Sequence, residues 1–199
     1  MHTKIMVVCM IYFQVKSKRP ISLFKNNNLL SKARIFLEWY FFRKGLGTSN
    51  QFETLGFLRT DRNQQYPNLQ YHFLPLAINY DGSSPHKGHG FQFHVGTMRS
   101  KSRGTVAIKN ADPTSQPSIK FNYLSHPDDL KDFRNAIKIT RNILNQDAFK
   151  DYADDEIQPS PALTTNTELD QFIMSSVESA CLIYTSQSTR DQTGSRKAA

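Results

Sequence analysis

The run Asn50-Gln51-Phe52-Glu53 sets an aromatic ring beside a carboxylate. That pairing has the chemistry to hold a quaternary ammonium ion. Such an ion has no N–H to donate, so its site is built from aromatic faces and a nearby negative charge. Phe52 and Glu53 are neighbours, however, and in an extended strand neighbours point to opposite faces. A shared site therefore needs a bend at this point, or a ring from elsewhere such as Phe57, Tyr71 or Phe73. The alternative for Glu53 is a strand-edge carboxylate in water.

Histidines offer a second kind of chemistry. His86 and His89 lie in a loop rich in Gly, Ser and Pro, with His94 just beyond. The three could suggest a metal, but no Cys or acidic partner at helical spacing accompanies them, and zinc signatures are denser. No metal is expected; His86 and His89 read as loop histidines facing solvent or substrate. His72 and His94 alternate with aromatics and read as strand residues of structural role, and His126 reads as part of a helix cap. The turn Ser100-Lys101-Ser102-Arg103-Gly104 resembles an anion-binding nest in composition, yet a plain strand start is the simpler reading. Asp128 and Asp129 fit a helix dipole, and Asp154 to Glu156 fit a solvated loop.

The elements that must position these residues follow from periodicity. Short alternating segments at 52–58, 69–78, 91–98 and 105–109 read as strands, with a short one at 119–123 and an earlier one at 11–23. No helical pattern separates the middle strands, so the sheet should be antiparallel rather than built from βαβ units. Residues 32–42 read as a helix with Ile35, Phe36, Trp39 and Phe42 on one face, closed by Arg43, Lys44 and Gly45. A second helix opens at Ser125-His126-Pro127-Asp128 and carries the stripe Leu130, Phe133, Ile137, Thr140 and Leu144. A third opens at Thr167-Glu168 with Leu169, Phe172, Ile173 and Val177 inward, while 147–161 reads as an acidic loop. The class is α+β: a mainly antiparallel sheet with flanking helices.

The chain has 199 residues, 25 Lys and Arg against 17 Asp and Glu, and a formal charge of +8. The cations are scattered rather than clustered and no nucleic-acid motif accompanies them, so nucleic acid is not expected as a partner. Cys9 and Cys181 sit near opposite ends, which is no disulfide framework. The apolar run at 5–13 is too short to span a bilayer. It reads as a strand or a replaced leader rather than a secretory signal.

Longer blocks carry a resemblance. GLGTSNQFETLGFLRT, YPNLQYHFLPLAINYDG, GHGFQFHVGTMRSKSRGTV and HPDDLKDFRNAIKITRNIL occur in order. Together they resemble the choline-dehydrogenase type of the glucose–methanol–choline (GMC) oxidoreductase family. The resemblance runs from residue 11 to 180, leaving 1–10 as a non-matching segment and 181–199 as a non-matching tail that reads as disordered. It implies the family's substrate-binding domain, incomplete, and the FAD-dependent oxidation of choline to betaine aldehyde in glycine betaine biosynthesis. It also implies that Glu53 faces the trimethylammonium group, that Phe52 lies beside it, and that His86 or His89 corresponds to a substrate-site histidine.

Two departures qualify that expectation. No G-x-G-x-x-G follows a strand anywhere in the sequence, so no cradle for a dinucleotide is expected. The family's catalytic histidine falls beyond Ala180, and no histidine follows His126. The resulting expectation is a gene-model fragment of such an enzyme, retaining no FAD and inactive in isolation. The alternatives are a non-catalytic module for quaternary ammonium ions and another GMC alcohol oxidoreductase. Choline or a similar small alcohol is the expected partner. A membrane surface, and self-association through exposed apolar surface, are further partners the sequence allows. The location would be cytoplasmic or inner-membrane-associated in a bacterium and mitochondrial in a eukaryote.

Overall fold

The computed structural model describes residues 2–6, 8–23, 28–52, 54–79 and 87–179. Strand β1 spans His2–Met6, β2 Cys9–Ser17, β3 Thr54–Leu58, β4 Leu69–Leu74, β5 Gly90–Thr97, β6 Arg103–Ala107, β7 Ser118–Lys120, β8 Ala153–Gln158 and β9 Glu178–Ser179. The helices are α1 Leu29–Phe42, α2 Pro127–Leu144 and α3 Asn166–Ser176. The main sheet has the order β3-β4-β5-β2-β8, with β9 also pairing with β2, and a small second sheet has the order β1-β6-β7. Every pairing is antiparallel. The architecture agrees with the α+β class read from the sequence.

Period-2 alternation sorts the main sheet into two unlike faces. Cys9, Ile11, Phe13 and Val15 of β2, Leu69 and Tyr71 of β4, and Phe91, Phe93 and Val95 of β5 form one buried cluster. Phe133, Ala136 and Ile137 of α2 and Leu169 and Ile173 of α3 close over it. A polar seam runs through this contact: the Tyr71 hydroxyl donates to the Ala136 carbonyl (3.1 Å) and meets Thr140 Oγ1 at 3.0 Å. The opposite face carries Tyr12, Gln14, Gln70, His72, Gln92 and His94. On it Gly96, paired with Met10, lets β5 approach β2 closely: a Cβ there would lie 3.1 Å from the Cys9 carbonyl oxygen.

Helix starts are capped from within. Asn28 accepts from Ser31 N at α1, and His126, rather than Ser125, accepts from Asp128 N at α2. Thr165 and Glu168 form a reciprocal capping box at α3, two residues earlier than the sequence suggested. Residues 153–158, expected within a loop, form edge strand β8. Glu156 accepts from Arg141 Nη2 there at 2.7 Å, half-buried, so the acidic run is only partly solvated. Helix α1 buries none of its residues. Ile35 and Trp39 are partly shielded, whereas Phe36 and Phe42, expected on the same inward face, are exposed.

Candidate functional site

The face of the main sheet turned away from α2 and α3 gathers aromatic and imidazole side chains in one half-buried row. The register places Tyr12 of β2 opposite His94 of β5, and His94 opposite His72 of β4. The rings of Tyr12 and His94 lie 4.4 Å apart between centroids. Phe52 stands over the row from the segment before β3, edge-on to His94 at 5.2 Å and to His72 at 6.2 Å. Its position is set locally: Gln51 takes a left-handed backbone (φ 69°), and Phe52 N donates to Asn50 Oδ1 at 3.0 Å. The chain thus turns just before Phe52; whether Glu53 shares its side of the turn falls outside the described residues. At the far end of the row, the Tyr12 hydroxyl donates to Glu178 Oε2 at 3.0 Å.

Both histidines are neutral at pH 7. Burial lowers the pKa of His72, and burial together with repulsion from His72 lowers that of His94 to about 4. The amide nitrogens of Gln70 and Gln92 lie 2.6 Å from His72 Nε2 and 2.5 Å from His94 Nε2. An amide nitrogen only donates, so each Nε2 is an unprotonated acceptor. Beneath, Gln14 Nε2 donates to Gln92 Oε1 (3.1 Å) and to the Ile78 carbonyl (2.9 Å), and Ile78 N donates to Gln92 Oε1 (2.9 Å). The buried amides thus orient the rings above them. Among the described residues the result is a half-buried surface with aromatic faces, no imidazolium and one carboxylate, suited to a cation that has no proton to donate.

The sequence pointed to four site residues, and the structure describes two of them. Phe52 is in the row. His89 is not: it lies just before the first residue of β5, five residues or about 16 Å along the chain from His94. There its Nδ1 meets Ser22 Oγ at 2.8 Å and its carbonyl accepts from Ser17 N at 2.9 Å. Glu53 and His86 lie outside the described residues. His72, His94, Tyr12 and Glu178 were missed. Polar residues recurring every second position in β4 and β5 were the available signal, read as structural because periodicity does not say which sheet face a helix covers.

The Ser100–Arg103 turn is occupied by the protein itself. Asp129 Oδ1 accepts from Lys101 N (2.8 Å), and Oδ2 accepts from Ser100 Oγ (2.6 Å), Ser102 N (2.9 Å) and Ser102 Oγ (2.5 Å). Burial pushes this carboxyl up, but these donors hold it below the ordinary range. Asp129 is therefore more than a dipole partner of α2: it fastens the turn, leaving no anion nest. With all three helix starts capped by their own side chains, the described residues do not fit a dinucleotide phosphate.

Residues 100–184 match the profile of the GMC oxidoreductase family. The chain is 50% identical over 170 residues to the oxygen-dependent choline dehydrogenase of Brucella anthropi, covering 85% of this chain and 31% of that protein. It is 48% identical to oxygen-dependent choline dehydrogenase 1 of Chromohalobacter salexigens, covering 85% and 30%. The chain thus spans about a third of the length of these curated relatives. Among solved structures, Aspergillus oryzae formate oxidase superposes with a TM-score of 0.75 at 20% identity over 88% of this chain and 35% of that one. Pyridoxine 4-oxidase gives 0.67 at 17% identity, over 89% and 31%. At such identities the structural likeness speaks for the fold alone.

Proposed function

We propose, for a chain that belongs to the GMC oxidoreductase family, that it serves the FAD-dependent oxidation of choline to betaine aldehyde. Its own share is to present the surface on which the trimethylammonium group rests. The observation that carries this is the row Phe52, His72, His94 and Tyr12: ring faces with both imidazoles uncharged. An imidazolium in the row would repel the substrate cation, and the neutral pair does not. The identity to choline dehydrogenases over 85% of the chain supports the choice of choline over other alcohols. Glu53 is proposed as a further carboxylate near the cation. His86 and His89 are proposed as loop residues toward the substrate side.

The 199-residue polypeptide itself is proposed to bind choline without turning it over, since its described residues offer no cradle for a dinucleotide phosphate. One experiment addresses both parts. Calorimetry of the purified chain with choline should give a dissociation constant in the millimolar range, about 4 kcal/mol of binding. Dye reduction in the presence of added FAD should not depend on choline. No binding at tens of millimolar would overturn the proposed surface, and choline-dependent reduction would overturn the proposed lack of turnover.

A further inference from the structure

We infer that Glu178, held by Tyr12, is the counter-charge for the quaternary ammonium group on this surface. The inference rests on the substrate reading above and adds the residue that selects for charge. Glu178 is paired with Met10, and Tyr12 is two residues further along the same strand. Register therefore sets Glu178, Tyr12, His94 and His72 on one face of the sheet. From Phe52 to His94 is 5.2 Å, from His94 to Tyr12 is 4.4 Å, and the Tyr12 hydroxyl donates to Glu178 Oε2 at 3.0 Å. Ring faces thus lead directly to a carboxylate.

The charge of Glu178 is not spent elsewhere. Asp128, Asp147, Asp151, Asp155, Glu156 and Asp170 are each matched by a Lys or Arg. Glu168 is bound in its helix cap and Asp129 in its turn. Among the described residues no Lys or Arg pairs with Glu178. A phenol hydroxyl fixes a carboxylate without neutralising it, leaving its field to act on a neighbouring cation in a half-buried setting. A quaternary ammonium ion needs that field and cannot use the remaining lone pairs. Tyr12 acts here as a positioning residue and offers its ring face as well.

The test compares choline with 3,3-dimethylbutan-1-ol, its uncharged isostere, by calorimetry on the full chain. The wild type should prefer choline. In Glu178→Gln the ratio of the two affinities should fall about tenfold, or 1.4 kcal/mol, with the isostere bound as before. Tyr12→Phe keeps the ring and lets the carboxylate swing, so its ratio should fall by roughly threefold. It also provides the reading if the Gln variant does not fold. A merely structural role would weaken both ligands alike and leave the ratio unchanged. An unchanged ratio in either folded variant overturns the inference while leaving the binding surface standing. Failure of the wild type to bind choline overturns both.

Discussion

His94 holds a neutral ring at a price in acid, because folding removes it from water and sets it against His72. Its folded pKa, about 4, lies below the ordinary 6.5. Between those values the unfolded chain takes up a proton that the folded chain does not, so stability falls as pH drops from 6.5 toward 4. The slope approaches 1.4 kcal/mol per pH unit for one such group at most. His72 acts in the same direction. Urea titrations at stepped pH should show this decline, and His94→Gln should flatten part of it; an undiminished slope in the variant would refute the assignment. Asp129 works in a different window. Its carboxyl is held below 3.8, so its contribution is present above that value and is lost only at lower pH. Asp129→Asn leaves donors from the Ser100–Ser102 turn without a full acceptor and should cost about 2–4 kcal/mol at neutral pH. A denaturation midpoint unchanged from wild type would contradict that.

The elements differ in how much sequence alone determines them. Helices α2 and α3 were legible because their apolar stripes meet a continuous apolar sheet face. Phe133 is fully buried in that contact, and Phe133→Ala should cost about 3–5 kcal/mol. Thr165→Ala, which removes the α3 capping hydroxyl, should cost about 1 kcal/mol. Thermal or urea unfolding resolves a difference of that size. Strand β8 was not legible, for a physical reason. It is an edge strand whose Asp154 and Asp155 face water, and its pairing with β2 shifts register twice, so no alternation survives to be read. The candidate site was legible at Phe52, where an aromatic beside a carboxylate is a local pattern. Tyr12 and Glu178 are separated by 166 residues, and only the sheet brings them together.

At the scale of the whole molecule, the apolar surface is unevenly distributed. Helix α1 carries Leu30 at 84%, Phe41 at 68% and Phe42 at 69% exposure, and no helix among the described residues is long and apolar enough to cross a membrane. Apolar surface of this extent favours association. Sedimentation of the chain should therefore show concentration-dependent assembly, and Leu37→Lys with Phe41→Lys should shift it toward monomer. An unaltered distribution would place the contact elsewhere.

Cys9 lies 1% exposed in the central strand, and burial raises its thiol pKa to about 12. The thiolate that alkylating reagents attack is thus almost absent while the sheet is closed. In a Cys181→Ser background, the rate at which Cys9 is labelled becomes a stopwatch for the opening of β2. Addition of choline should slow that stopwatch in proportion to the fraction of chains whose outer face is filled.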